Sequence, residues 1–316
     1  MLRRLAISIP VLFGITLATY VLVNLAPGDP VSAMINPEAA ATLGPDFVQR
    51  QKEALGLNQP PPVRYLLWLR EIGRGNMGFS LVNGRPIGQE IGERAWPTFR
   101  LMLSALALGI GIAIPLGTLS AIRQYSLLDY AATVAGLLAI SLPSFFVGLL
   151  AIYVFALKLG WLPTAGLATV GEPPSVLDSL RHLVLPAVVL GLAEAAPLIR
   201  YTRSSLLEII RQDYVAVARA KGLSERSVLY RHALRNALIP LVTVIALGLP
   251  RLFGGTVIIE AVFAWPGMGS LALMAVAQRD YPLIMAINLI SAIAILLSNL
   301  LADLAYAYVD PRIKYA

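Results

Sequence analysis

Long apolar runs alternate with polar segments along this chain. Six runs are predicted to be membrane-spanning helices, at residues 5–26, 98–122, 130–157, 183–199, 237–262 and 283–308. The first run has 22 residues, which as an α-helix would extend about 33 Å and cross the roughly 30 Å hydrocarbon core of a bilayer. The pattern therefore predicts an all-α, polytopic membrane protein with six transmembrane helices.

Two of these runs have features that refine the prediction. The apolar core of a cleaved signal peptide has about 7–15 residues, whereas the first run is longer and ends at Pro27, so it is predicted to remain as a helix. The third run is predicted to be kinked at Pro143, within Ser141-Leu-Pro-Ser144.

Basic residues are concentrated in the segments predicted to lie in the cytoplasm. The N-terminus, residues 123–129, residues 200–235 and the tail carry two, one, eight and two Lys or Arg residues, against three in the two shorter outside loops. Because Lys and Arg are retained on the cytoplasmic side of a membrane, both termini are predicted to be cytoplasmic.

The polar segments define the domain organisation. The predicted parts are the first helix with its flanks (1–27), an extracytoplasmic segment (28–96), a five-helix core (97–309) that contains a cytoplasmic loop (200–236), and a cytoplasmic tail (310–316). Within the extracytoplasmic segment, residues 46–55 and 62–73 are each predicted to form a short helix on the membrane surface. Asp280 is predicted to cap the N-terminus of the sixth span.

Composition supports a membrane protein and argues against an enzyme. The chain is 57% hydrophobic and 14% charged, whereas soluble domains are about 45–50% apolar and about 25% charged. It has no cysteine, its two histidines (His182 and His232) fall in different predicted loops, and it lacks a P-loop and the common hydrolase motifs. No catalytic, cofactor or metal site is predicted. The net charge of +7 is concentrated in one inter-helix loop, which membrane topology explains without nucleic acid.

The most basic segment, residues 213–240, has an internal order that charge alone does not explain. A helix with the small residues Ala216, Ala218 and Ala220 comes first, and Gly222 is predicted to break it with a left-handed turn. Ser224 is then predicted to cap a second short helix that has Glu225 in its first turn. Binding to anionic lipid would account for the arginines but not for this order, so the segment is interpreted as a docking element for a cytoplasmic partner.

The residues of this segment resemble a known family. Ala218-Arg-Ala-Lys-Gly222 and His232-Ala-Leu-Arg-Asn236 are similar to the cytoplasmic EAA loop of ABC-importer permeases, especially the dipeptide/oligopeptide/nickel class. Further similarities to that class occur at residues 76–80, 141–145, 159–163, 260–269 and 279–282. The long polar segment after the first span resembles the B-type, or first, permease of the pair.

The resemblance implies a type I ABC importer in a bacterial or archaeal cytoplasmic membrane. Its expected partners are a second homologous permease, two ATPase subunits that bind ATP and magnesium, an extracytoplasmic solute-binding protein and membrane lipids. The EAA loop is expected to dock on the ATPase through Ala216, Ala218, Ala220, Gly222, Leu223, Ser224, Glu225, Arg226, His232 and Asn236. In two places the loop departs from the family pattern: Ala216 replaces the glutamate, and Arg235 replaces the proline that usually precedes the asparagine.

Ionisable residues inside the predicted spans are candidates for a translocation path, because charges in a bilayer usually face the protein interior or water. Glu194 could pair with Arg251 of the next span, whereas Glu260, near the outside end, is interpreted as structural. Asn288, Asn299 and Asp303 fall within about 60° of one face of the sixth span and could line a path with Glu194 or join two helices.

The leading hypothesis is a permease subunit that imports di- or oligopeptides or similar small solutes, with selectivity residing largely in the solute-binding protein. The alternative is an ion-coupled secondary transporter or channel that acts without an ATPase. A single acid near the predicted midplane, Glu194, gives little support to proton coupling.

Overall fold

The computed structural model describes residues 2–25, 58–173 and 175–309, and within these ranges every regular element is a helix. The helices are α1 (Leu2–Leu25), α2 (Pro61–Gly73), α3 (Ile87–Ile122), α4 (Leu127–Ser141), α5 (Ser144–Ala151) with a π-helical extension (Ile152–Lys158), α6 (Val176–Ile210), α7 (Asp213–Ala220), α8 (Glu225–Ser227) followed by a second π-helical stretch (Val228–Leu234), α9 (Arg235–Val262), α10 (Met268–Ala277) and α11 (Tyr281–Val309). Two predicted features, the helix at 46–55 and the C-terminal tail, lie outside the described residues.

Four of the described helices are long and apolar enough to cross a membrane: α1, α3, α6 and α11. The pair formed by α4 and α5 with its π-helical extension has the length and apolarity of a fifth span. The predicted fifth span is helical throughout as α9, although several side chains between residues 243 and 255 lie outside the described ones.

The third predicted span is broken rather than kinked. Its two arms, α4 and α5, meet at an angle of 105°. Leu142 between them has an extended backbone (φ −86°, ψ 131°), and Pro143 precedes the first residue of α5. Proline drives the residue before it out of the α region, so the helix stops at Ser141 and restarts in a new direction. The change of direction predicted at Pro143 is therefore present, as a break between two helices rather than as a kink within one.

Two predicted spans extend well beyond their apolar cores. The second begins at Ile87 instead of residue 98, and the fourth runs over Val176–Ile210 instead of 183–199. Ile87 and Leu206 lie in these extensions and are completely buried. Burial against neighbouring helices thus continues each helix past the polar residues that marked its predicted end. The extension also places His182 inside α6, where the sequence predicted a loop.

The described residues form two compact units. The first unit comprises the residues up to Trp96 and Gly267–Leu296, and the second unit comprises Pro97–Pro266 and the residues from Leu297 onward. The start of α3, α10 and the start of α11 build the core of the first unit, around Ile87, Leu271 and Leu283. In the second unit, α3, α6 and α9 pack around Leu101, Leu190 and Ile259.

Within the first unit, α2 packs against α1 through an aromatic group. The Tyr65 hydroxyl lies 2.8 Å from Thr16 Oγ1, and the Tyr65 ring contacts Phe13 and Tyr20. The predicted helix at 62–73 is therefore confirmed as α2. Helix α2 packs along α1 and reaches Thr16. At 1.5 Å per residue, Thr16 is about 14 Å from the C-terminal end of α1.

Two of the sequence motifs meet at the start of α11, also within the first unit. Asp280 caps this helix through Leu283 N (3.4 Å), as predicted. Its carboxylate also accepts hydrogen bonds from Ser80 Oγ (2.5 Å) and Leu81 N (3.3 Å). Asp280 is 1% exposed, so the buried charge depends on these donors.

Glycines allow α3 and α6 to cross at close range in the second unit. A Cβ on Gly117 would lie 2.6 Å from Thr202 Cβ and 2.8 Å from the Ile199 carbonyl oxygen. Gly109 and Gly191 form a second close approach, where each would bring a Cβ to 3.0–3.2 Å from the other helix's backbone. Gly109 and Gly191 thus allow the two helices to pack closely.

Candidate functional site

The predicted docking element is built on α7, which follows α6 after only Arg211 and Gln212. Val215 and Ala218 are buried and turn toward the protein, where they pack with Leu206 of α6 and with Val228 and Ala233 of the second π-helical stretch. This apolar packing joins α7 firmly to the helices that precede and follow it.

The opposite face of α7 is open to solvent. Ala216, Val217 and Ala220 are exposed on this face, and Gly222 and Leu223 follow them in the next turn. We refer to these five residues as the coupling surface. Two alanines four positions apart on an exposed face leave the backbone accessible, so another protein can approach closely.

Gly222 ends α7 as predicted, with a left-handed backbone (φ +78°) and its amide donating to the Arg219 carbonyl at 2.9 Å. Ser224 then caps the next helix, because its side chain accepts a hydrogen bond from Ser227 N (3.4 Å). Arg219 and Glu225 form an ion pair across this turn at 2.7 Å. Both side chains are well exposed, so the pair contributes little to stability.

The second helix of the docking element does not end as predicted. From Glu225 the chain continues through α8 and the second π-helical stretch directly into α9. Arg235 occupies the position at which related loops have proline. Unlike proline, it keeps the backbone N–H and causes no clash with the preceding turn, so the helix continues. The docking element is thus one short helix, a glycine turn and the first turns of a long helix.

Asn236 connects the start of α9 to α7. Its Nδ2 donates to the Tyr214 hydroxyl at 2.9 Å and to the His232 carbonyl at 3.0 Å. The remaining predicted docking residues are divided by exposure. Ala216, Ala220, Gly222, Leu223, Ser224, Glu225 and Arg226 are exposed, His232 and Asn236 are half-buried, and Ala218 is buried. The small side chain of Ala218 is explained by packing within this chain.

Sequence reasoning missed a polar cluster beside this element. Asp129, in the first turn of α4, forms a two-pronged ion pair with Arg203 of α6: Nε lies 2.7 Å from Oδ1 and Nη2 lies 2.8 Å from Oδ2. In the sequence, Asp129 falls in the predicted cytoplasmic loop at residues 123–129, and Arg203 is one of the eight basic residues at 200–235. The two residues are 74 positions apart, so no local pattern connects them.

The predicted path residues occupy different environments. Glu194 and Asp303 are half-buried, whereas Asn288 and Asn299 are exposed. The suggested Glu194–Arg251 pair cannot be placed, because the Arg251 side chain lies outside the described ones. Glu260 is fully buried and accepts a hydrogen bond from Thr98 Oγ1 at 2.6 Å. This contact agrees with its interpretation as a structural residue.

Glu260 and Trp265, both in the 260–269 motif, form a second polar cluster in the second unit. Trp265, also fully buried, donates from Nε1 to the Pro97 carbonyl at 3.1 Å, and its amide donates to the Glu260 carbonyl at 2.8 Å. The Arg100 guanidinium lies 5.2 Å from the centre of the Trp265 ring. Hydrogen bonds and ring packing account for these residues, so their role here is to join α9 to α3.

Comparison with known proteins agrees with this architecture. Residues 113–315 match the family described as the binding-protein-dependent transport system inner membrane component. The chain belongs to this family and is a transmembrane permease subunit of an ABC importer in the inner membrane. Membership implies an ATPase and a substrate-binding protein as partners.

Particular relatives extend over nearly the full chain. It is 44% identical over 315 residues to the oligopeptide transport system permease protein AppB of Bacillus subtilis, covering 99% of this chain and 98% of the relative. It is 37% identical to the dipeptide transport system permease protein DppB of Alkalihalophilus pseudofirmus and 36% identical to the glutathione transport system permease protein GsiC of Escherichia coli, with the same coverage.

Solved structures support the fold. An inward-facing methionine ABC transporter, MetNI, has a chain that matches with a TM-score of 0.58 and 18% identity, covering 72% of this chain and 99% of that one. An amino acid ABC transporter solved with histidines matches with a TM-score of 0.52 and 14% identity, covering 70% and 94%. The type I ABC-importer permease fold expected from the sequence is confirmed.

Proposed function

We propose that this chain is one of two homologous permease subunits of an ATP-driven importer of di- or oligopeptides or closely related small solutes. The relatives support peptides as the substrate class. This chain matches an oligopeptide permease and a dipeptide permease over 98% of the length of each. In the proposed assembly six helices cross the membrane, both termini are cytoplasmic, and two ATPase subunits bind ATP and magnesium.

The observation that carries the proposal is the coupling surface. All five of its residues are exposed, and each is either apolar or too small to obstruct a partner. The other face of α7 is packed into the protein. An exposed face with Val217 at 51% and Leu223 at 41% exposure is suited to burial by a second protein. We assign this surface to the groove of an ATPase subunit.

The packing around α7 supports a mechanism of coupling. Closure of the ATPase dimer on ATP would displace α7. Because Val215 and Ala218 are enclosed by Leu206, Val228 and Ala233, that displacement is passed to α6 and α9 together. Packed helices move as rigid bodies or by small sliding motions, so the path would change its accessibility without local unfolding.

Glu194, Asn288, Asn299 and Asp303 remain the proposed path residues. Two exposed asparagines on a helix that crosses a membrane are costly against lipid, so they favour contact with water or with the second permease. Their assignment can be tested by replacing each asparagine with leucine and measuring peptide affinity and rate separately.

The experiment that tests the proposal is reconstitution of the complete transporter in lipid vesicles with a labelled dipeptide. Uptake should require ATP and the solute-binding protein, and Ala220→Trp should abolish it while leaving membrane insertion intact. Ala220→Ser, which keeps the surface small, is the matched control and should retain uptake. Uptake by this chain without ATPase subunits, driven by an ion gradient, would contradict the proposal and favour a secondary transporter.

A further inference from the structure

The Asp129 carboxylate is a junction between three helical segments near the docking element. Its side chain is 4% exposed, and Arg203 holds both of its oxygens from α6. Ser120 Oγ, near the end of α3, also donates to Oδ1, and the Tyr125 amide donates to Oδ2 at 3.0 Å. Four donors on a buried carboxylate fix both its charge and its orientation.

The backbone conformation of the loop before α4 brings hydrogen-bond donors within reach of the Asp129 carboxylate. Tyr125 adopts a left-handed conformation (φ +64°), which a non-glycine residue rarely does without support from its surroundings. Ser126 caps α4 by accepting from Asp129 N at 3.3 Å. The loop between α3 and α4 is therefore wrapped around the carboxylate, and the first turn of α4 is fixed to the end of α3.

Arg203 lies where motion of α7 would enter α6. It is seven residues before the end of α6 at Ile210, and α7 begins after two further residues. The adjacent Thr202 packs at the close crossing with Gly117 of α3. This part of α6 is held both by the apolar cluster around α7 and by the helix crossing.

The apolar cluster around α7 contains residues of α3, α6, α7, the second π-helical stretch and α9. The contacts of Asp129 attach the start of α4 to these helices at their cytoplasmic end. Farther along, α4 lies beside α6, since a Cβ on Gly136 would be 4.0 Å from Ala196 Cβ. At its other end α4 meets the 105° bend into α5.

We propose that Asp129 and Arg203 are positioning residues for energy coupling: their ion pair makes α4 move with α6 when the ATPase displaces α7. The inference rests on the proposed function. An arginine fork on a carboxylate fixes distance and angle together, which a lysine cannot do because it donates from a single point. A purely structural ion pair would affect only the stability and yield of the complex.

The first test measures the number of peptides imported per ATP hydrolysed by the complete transporter in vesicles, together with complex yield and thermal midpoint. Arg203→Met and Asp129→Asn should lower this ratio by roughly two- to tenfold, within the range that residues between coupled sites produce. Arg203→Lys should give an intermediate ratio. Arg200→Met, which changes an exposed arginine one turn earlier in α6, is the matched control and should retain the wild-type ratio.

The second test uses the absence of cysteine from this chain. Gly136→Cys with Ala196→Cys places two Cβ atoms at a separation suited to a disulfide. In an otherwise unchanged chain, oxidation should leave the peptide-to-ATP ratio as it is, since α4 and α6 move together. In the Arg203→Met background, oxidation should restore the ratio and reduction should lower it again.

The outcomes separate the two proposals. Failure of the wild-type complex to couple uptake to ATP would refute the proposed function. With a functional wild type, an unchanged ratio in both Asp129→Asn and Arg203→Lys would overturn the positioning role, even if their thermal midpoints fall. Loss of transport on cross-linking α4 to α6 in the unchanged chain would also overturn it, because the two helices would then have to move apart. If Arg203→Met fails to assemble, Asp129→Asn and Arg203→Lys decide the question.

Discussion

Gly222 offers a clean perturbation of the docking element, because its backbone geometry and its space requirement can be separated. Its φ of +78° lies in the left-handed region, and a Cβ added there would meet nothing within 4 Å. Gly222→Ala therefore introduces backbone strain without a clash inside the chain. For a non-glycine residue that strain is about 1–2 kcal/mol.

A backbone strain of this size in Gly222→Ala predicts a measurable opening of the turn. A penalty of 1–2 kcal/mol reduces the population of the native turn relative to alternatives by roughly 5- to 30-fold. We expect faster amide hydrogen exchange over residues 213–227 of Gly222→Ala in the assembled transporter. We also expect fewer peptides imported per ATP hydrolysed, because α7 would no longer be held at a fixed angle to the helix that begins at Glu225.

Two further variants control this experiment. Gly222→Asn should recover part of the effect, since asparagine tolerates the left-handed region better than alanine. Gly111→Ala, at a helical glycine with open space around it, should be neutral or stabilising by up to about 1 kcal/mol. If Gly222→Ala exchanged and transported like the wild type, the assignment of the turn as a rigid element in coupling would be refuted.

Three other substitutions test the packing that supports the site, each by the thermal midpoint of the purified transporter. Gly117→Ala should destabilise by about 1–3 kcal/mol, because its Cβ would lie 2.6 Å from Thr202 Cβ in a fixed helix crossing. Trp265→Phe should cost about 1–3 kcal/mol, because the buried Pro97 carbonyl loses the indole N–H donor. Asp280→Ala should cost about 1–2 kcal/mol or more, because α11 loses its cap.

Each of these three substitutions has a control substitution at another position of the chain. Gly111→Ala should leave the midpoint unchanged or raise it, where Gly117→Ala lowers it. Trp161→Phe, at a tryptophan that is 61% exposed, should be mild where Trp265→Phe is not. Ser80→Ala should cost less than Asp280→Ala, since the backbone donors to Asp280 remain. Equal effects within any pair would contradict the contact on which that prediction depends.

Features that depend on a few neighbouring residues were predicted correctly. Gly222 turns left-handed, Ser224 caps the following helix and Asp280 caps α11. Each depends on backbone preference or on a hydrogen bond spanning three residues, so the local sequence contains all the information needed.

Features that depend on distant partners were not predicted. Asp129 and Arg203 are 74 positions apart, and Glu260 and Thr98 are 162 positions apart. Each residue taken alone matches an ordinary pattern: a loop acid, a cytoplasmic arginine, a charge near a helix end. Only the packing of α3, α4, α6 and α9 brings the partners together, and burial then makes their contact obligatory.

The boundary between what sequence and structure decide is clearest in α7. By itself, the sequence determined that the chain is an apolar helical membrane protein, that the segment around Gly222 is a helix followed by a glycine turn, and that it resembles an ABC-permease coupling loop. The first two conclusions follow from hydrophobic period, charge distribution and local backbone chemistry, and the third from the similarity of residues 218–222 and 232–236 to that loop. The tertiary structure decided which face of α7 is free, that the following helix continues into α9, and that a buried carboxylate joins α4 to α6. Those features depend on burial and long-range contacts, which arise only when helices distant in sequence pack together.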